Sequence, residues 1–327
     1  KNSELMESLK NTGKYEITPE MKAQLSDFYG YSMYTISSDT LSVSVMSLGA
    51  TVTRLAYQGR NVVVSLKTPD DYLQDTSYLG AIVGRYANRI AGGRFPLNGE
   101  TVQVEQNEGR NHLHGGSVGF HKRIWAAECL GEQAVRFTLH TPDGDAGYPG
   151  ELTMHVTYRV EGSRLFLDFE GVSTKDTILA PTTHMYFNLG GTESILGTTL
   201  QINASRWIPV DGELIPTGEL RPAEGPFDFR TPHTIAQNFD HGFVLDGPDA
   251  LVAEDGGVRL SLHTDYPALQ LYTGEFLSGK LHPNQGFAIE PEACPDTPNH
   301  PEFGSSVLKA GETFHRSIAY TFESTAK

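Results

Sequence analysis

The chain is short of cysteine, of positive charge and of long apolar runs. Two cysteines in 327 residues, Cys129 and Cys294, are too few for a disulfide framework. They leave a reduced, cytoplasmic protein as the default expectation. No run of 18 apolar residues is present to span a membrane, and the N-terminal KNSELMESLK lacks the apolar stretch of a secretory leader. With 25 Lys and Arg against 40 Asp and Glu, the formal net charge is −15. That balance repels a phosphate backbone or an anionic membrane surface, so neither nucleic acid nor membrane is an expected partner. A neutral small molecule needs no long-range steering and stays compatible.

Several chemical motifs are also missing. The sequence has no G-x-G-x-x-G, no P-loop, no G-x-S-x-G elbow and no H-E-x-x-H. Cys294 sits in a proline-rich loop with no evident activator. Imidazoles and carboxylates remain, the equipment of general acid and base catalysis.

Beyond these absences, the pattern is that of a β protein. From Tyr31 onward apolar residues recur with period two, in LSVSVM, AVRFTLH, ELTMHVTYRV, RLFLDFEGV, VRLSLHT, ALQLYTGEF and RSIAYTFE. Turn signals separate them, among them Asn98-Gly99, Asp143-Gly144, Asp211-Gly212 and Asp255-Gly256-Gly257. No long helical period follows residue 30, and strands do not alternate with helices. The expectation is an all-β, large antiparallel β-sandwich over residues 31–327. Residues 1–30 read differently: Thr18-Pro19 suits a helix start, and Met21, Leu25 and Phe28 fall on one helical face. A short helical N-terminal extension is expected there, docked on its own domain or serving as a partner-binding arm.

Polar groups concentrate in GRYANRI (84–90), NHLHGG (111–116), PTTHMYFNLGG (181–191), QNFDHGF (237–243) and GFAIEPEACPDTPN (286–299). His112 and His114, at i and i+2, would share one face of a strand, the first requirement of a metal pair. No acidic third ligand follows, since the next residues are Gly115-Gly116-Ser117-Val118-Gly119. In TPDGDAGYPG, Asp143 and Asp145 alternate as in a calcium loop, but Gly147, Tyr148 and Met154 stand where further ligands and the turn glycine belong, so a tight turn is expected. Metal is not expected. Glu290 closes the apolar run Gly286-Phe287-Ala288-Ile289 before Pro291, which suits either a desolvated base or an ion pair with an arginine at the sandwich edge. His184, beside Tyr186-Phe187, is a candidate acid or a core histidine. Asn88 and Arg89 form a hydroxyl-binding pair or a structural ion pair.

Taken together and in order, GRYANRI, NHLHGGSVGFHKRIW, DGDAGYPG, PTTHMYFNL, NFDHGF, QLYTGEFLSG and the closing Glu-Pro-x-x-x-Pro-Asp-x-Pro-Asn run resemble the galactose mutarotase family, the aldose 1-epimerases. The resemblance covers about residue 31 to the C-terminus. It implies a β-supersandwich with an open sugar cleft, no cofactor, and a free aldohexose such as galactose or glucose as substrate. It also implies a monomer or weak homodimer. By the same resemblance Glu290 is the general base, His184 the general acid, and His114 a hydrogen-bonding group at the reacting centre. Asn88, Arg89, Tyr186, Asp240 and Gln270 would hold the sugar. Three places depart from the family pattern: Thr183 for an Asn, Gly242 for an Asn, and Pro291-Glu292 for Thr-Gln. Two other readings of the same cleft are a non-catalytic sugar-binding module and a sugar-phosphate epimerase. The latter would need a basic cluster, for which Arg85, Arg89 and Arg94 are the candidates.

Overall fold

The computed structural model describes residues 32–325. The expected N-terminal helix, and the boundary drawn after residue 30, lie outside them. Within them the alternating segments form strands. The largest sheet has nine, in the spatial order Ala126–Cys129, Ala134–Thr141, Leu152–Glu161, Arg164–Ser173, Thr313–Ser324, Val258–Thr264, Asp249–Asp255, Thr199–Ile202 and His233–Thr234. A six-stranded sheet runs Tyr186–Phe187, Phe287–Glu292, Ala268–Tyr272, Asp240–Val244, Arg206–Ile208 and Arg221–Pro222. Every pairing in both sheets is antiparallel.

One hydrophobic core joins the two sheets. Leu165, Leu167, Phe169, Tyr320 and Phe322 come from the larger, and Phe187, Phe243, Leu269, Leu271, Phe287 and Ile289 from the smaller. Phe187 and Tyr320 bridge them, with ring centroids 5.6 Å apart. Each of these side chains occupies the inward position of a period-two strand, so the sandwich follows directly from the alternation. A four-stranded sheet, Met33–Ser37, Leu41–Met46, Thr51–Tyr57 and Arg60–Asn61, adds Leu41, Val43, Val45 and Leu55 to the same core.

The turn residues perform as their chemistry requires. Asn98 and Gly99 take φ of 52° and 78° in the two-residue hairpin between Arg94–Leu97 and Glu100–Gln103. One short helix, Pro69–Gln74, was not anticipated, because six residues are too few to reveal a period. Its signal is local: the Thr68 hydroxyl accepts from Asp71 N–H while the Asp71 carboxylate accepts from Thr68 N–H, with Pro69 in the first turn. Cys129 is exposed, Cys294 is buried, and both are free thiols. No helix among the described residues is long and apolar enough to cross a membrane.

Candidate active site

The face of the six-stranded sheet turned away from the core gathers the polar residues in rows. Along Phe287–Glu292, Phe287 and Ile289 enter the core, so Ala288, Glu290 and Glu292 point to the other side. The register sets Glu290 opposite Gln270, and Gln270 opposite Gly242. The next row is Tyr186, Ala288, Tyr272 and Asp240. Glu290 was expected to end its strand, but the strand continues to Glu292. Proline is tolerated at 291 because its carbonyl, and with it the place of its missing N–H, faces the Thr182 hydroxyl, which donates to Pro291 O at 2.6 Å.

Loops bring two imidazoles over this face. His184 is clamped by its backbone, its N–H on Ala81 O and its carbonyl accepting from Gly80 N–H, both 2.9 Å. Its Nε2 lies 3.3 Å from Glu290 Oε1. His114 arrives from the opposite wall, with Nε2 3.7 Å from the same oxygen. Its φ of 51° turns it out of the strand His112–Leu113, so the two histidines do not share a face. His112 instead lies fully buried, Nε2 bonded to the Tyr148 hydroxyl at 2.6 Å and Nδ1 to Glu105 O at 2.5 Å. Gly115 follows because its φ is 85° and a Cβ there would stand 1.9 Å from Gly84 O.

His114, His184 and Glu290 each offer a ligand atom, all within 4.8 Å of one another, a spacing that invites the question of metal. The tautomer answers it. Asn88 N–H donates to His114 Nδ1 at 2.9 Å, so the ring proton is on Nε2 and His114 turns an N–H, not a lone pair, toward the cluster. His114 is a fixed hydrogen-bond donor at this point. The calcium-like loop is likewise a turn: Asp143 accepts from Gly150 N–H and pairs with Lys175, and Asp145 pairs with the buried Arg123 at 2.6 Å.

Burial governs the proton affinities. Glu290 is 2% exposed. Its carboxyl is pushed well above the ordinary range by burial first, then by Glu292 and Asp240, with Arg89 opposing. Burial also lowers His184 to about 4 and holds His114 well below the usual imidazole value, the latter helped by His184 and Arg89. Burial thus favours the uncharged form of each of these neighbours, a proton on the Glu290 carboxyl and none added to the His184 imidazole.

Around this pair lies a cleft of about 270 Å³. That is below the ~300–1,000 Å³ of pockets for drug-sized ligands and suits something smaller, of monosaccharide size. Arg89, Asp240, Gln270, Asn88 and Tyr186 all line it. Gln270 Nε2 donates to Asp240 Oδ1 at 2.8 Å, and Arg89 is held bidentate by Glu108 at 2.5 and 3.2 Å. Asn88 bonds Glu292, and the Tyr186 hydroxyl donates to Ser77 O. Three residues were not anticipated. Tyr78 packs against His114, His121 and His184 at 4.7, 4.6 and 5.7 Å between ring centroids. Glu108 anchors Arg89, and Phe276 stands 77% exposed at the rim.

The basic cluster for a phosphate does not form. Arg85 is buried and donates to the carbonyls of Pro142, Pro149 and Gly150, Arg94 is on the surface, and Arg89 is paired with Glu108. At Gly242 a Cβ would come within 3.2 Å of Gln270 Oε1 and 2.9 Å of Ile208, so the glycine leaves Gln270 its place. A larger groove, about 740 Å³, lies across the nine-stranded sheet between Arg164, Gln201, Ser261 and Glu323, on the side away from this acid and base pair.

Residues 32–321 match the family model described as aldose 1-epimerase. A galactose mutarotase of Bos taurus is 38% identical, the match covering 88% of this chain and 93% of that protein. An aldose 1-epimerase of Haemophilus influenzae is also 38% identical, over 81% of this chain and 86% of that one. Among solved structures, a galactose 1-epimerase from Lactobacillus acidophilus superposes with a TM-score of 0.83 at 32% identity, covering 89% and 94% of the two chains. An aldose epimerase homologue from C. elegans gives 0.87 at 27% identity, covering 91% and 100%.

Proposed function

The chain belongs to the aldose 1-epimerase family, and from that premise we propose that Glu290 and His184 are its general base and general acid on a free aldohexose. Glu290 removes the proton from the C1 hydroxyl while His184 delivers one to the ring oxygen, and the C1–O5 bond opens. The aldehyde turns about the C1–C2 bond, and the two transfers run backwards onto its other face. Each group contributes on the order of 10² to 10⁴ in rate. His114, its proton on Nε2, donates to a sugar oxygen at the reacting centre. Asp240 accepts from sugar hydroxyls while Arg89 and Gln270 donate, and Asn88 and Tyr186 shape the wall between them.

The observation that carries this reading is the 3.3 Å separation of His184 Nε2 and Glu290 Oε1 at one monosaccharide-sized cleft. The chemistry is proton transfer alone, so no cofactor is required. Every proposed group comes from one chain, which is consistent with a monomer or weak homodimer, and two free thiols suit a reducing cytoplasm. Polarimetry of freshly dissolved α-D-galactose tests the proposal. The protein speeds the approach to equilibrium rotation, and Glu290→Gln loses most of that effect; a variant as fast as the parent would remove Glu290 from the role. Calorimetric binding of galactose without any acceleration by the parent protein would favour the sugar-binding module instead.

A further inference from the structure

We propose that Glu292 is a positioning residue of this site: its carboxyl fastens the Asn88 side chain from behind, and Asn88 in turn holds the His114 ring and the Arg89 backbone. The inference rests on the reading of the cleft given above. Glu292 lies two residues beyond Glu290 on the same face of the same strand, yet it is fully buried and does not line the cleft. Its Oε1 accepts from Asn88 Nδ2 at 3.0 Å, and its Oε2 has no hydrogen-bond partner among the described residues.

Asn88 is the junction. Its backbone N–H donates to His114 Nδ1 at 2.9 Å, its carbonyl accepts from His114 N–H at 3.0 Å, and its side-chain oxygen accepts from Arg89 N–H at 2.9 Å. With φ at 71° it departs from the extended geometry of a sheet strand. The bond to Glu292 is what ties it to the strand of the base. Through it the loop bearing His114 and the strand bearing Glu290 are fixed to each other, and with them the 3.7 Å gap between His114 Nε2 and Glu290 Oε1.

A buried carboxyl is a costly way to fill space, and an apolar side chain would be cheaper. Its place is explained by the acceptor it presents. Burial raises its proton affinity well above the ordinary carboxyl range, against the pull of the Asn88 hydrogen bond. In its protonated form it holds Asn88 without setting a second negative charge beside the base. A glutamine, the residue expected here from the family pattern, presents the same carbonyl oxygen.

The test compares the parent with Glu292→Ala, Glu292→Gln, Asn88→Gly and the Ala/Gly double variant, all in the full chain. Galactose mutarotation, thermal midpoint and the ¹⁵N NMR of the His114 ring are measured for each. Glycine is chosen at 88 because it accepts the positive φ and keeps the N–H to His114. Glu292→Ala is expected to lower kcat by roughly 10- to 100-fold, the scale of a misplacement of about 1 Å, with KM changed much less. Glu292→Gln recovers kcat to within about threefold of the parent, and the double variant is no slower than Asn88→Gly alone, because the two residues act through one bond. In the NMR, the parent and Glu292→Gln hold the Nε2–H tautomer of His114, and Glu292→Ala populates both tautomers.

A folded Glu292→Ala with parental kcat and an unchanged His114 tautomer overturns the proposal, as does an additive loss in the double variant. The NMR arm needs no turnover. A parent inactive on every α-aldose would therefore refute the enzymatic reading while the Glu292 linkage is still decided by the His114 ring.

Discussion

In the strands Leu152–Glu161 and Arg164–Ser173, ten residues each, inward and outward side chains alternate almost without interruption. The cleft instead sets the pairs Arg89–Ile90, His112–Leu113 and Tyr186–Phe187, and the loops beside them, against the five- and six-residue strands that bear Asp240, Gln270 and Glu290. Long strands align side chains with neighbours of the same kind, which suits a core. Short ones let the chain leave the ladder, so that Tyr78, Asn88 and His114 at φ of 60°, 71° and 51° can aim groups no regular strand would present. Such conformations cost on the order of 1–3 kcal/mol each and persist only where surrounding bonds determine them. The nine-stranded sheet carries much of the core that stabilises the fold, and the cleft carries the groups proposed for the chemistry.

Substitutions in the two regions should therefore move different observables. The largest effect is expected from Glu290→Gln, which lowers kcat/KM by roughly 10² to 10⁴ without lowering the thermal midpoint at pH 8. The sign follows from linkage. Burial raises the folded-state pKa of Glu290, so its contribution to stability is complete below its unfolded value and is lost as pH rises through the folded one. At pH 8 the glutamine removes that penalty; a clear fall in midpoint would break the division.

Leu167→Ala, in the core, is the counterpart. It is expected to cost about 2–5 kcal/mol in denaturant unfolding while kcat per folded molecule stays at the parental value. A variant of parental stability, or one with kcat reduced tenfold, would mean that sheet and cleft are not separable. An intermediate effect is expected in the pH profile. Activity is lost as pH falls and the pair takes up a second proton on the imidazole that burial lowers to about 4, so the acid limb of kcat/KM should lie well below the 6.5 of an unperturbed histidine. A limb at or above 6.5 would return His184 to an ordinary solvated imidazole. The smallest effect is expected at the rim, where Phe276→Ala should raise KM by only a few-fold, its ring being 77% exposed. A change in kcat instead would bring the rim into the chemistry.

The same contrast explains what was legible in the sequence. Period two announces Leu152–Glu161 and its neighbours, because one face of those strands meets a core and the other does not. It is silent on His112 and His114, whose spacing suggests a shared face until the left-handed turn at His114 separates them. Glu290, His184 and Asp240 stood out through the order of whole segments more than through any one segment. Glu292 could not be paired with Asn88 from the sequence, since 204 residues separate them. Phe276 was hidden inside what reads as a strand, QLYTGEF. The strand stops at Tyr272, and Gly274, at φ 69°, carries the chain round to the rim; that glycine was the available signal.

In the proposed mechanism the proton that passes between His184 and Glu290 has a consequence for the enzyme's relation to its surroundings. Ring opening passes a proton, by way of the sugar, from His184 to Glu290, and ring closure passes it back, so each turnover leaves the protein in its starting state. Behind a wall that leaves Glu290 2% exposed, no exchange with bulk water is needed between cycles. A catalyst of this kind is indifferent to the concentration of buffer and consumes nothing. Its direction is set wholly by which anomer is in excess.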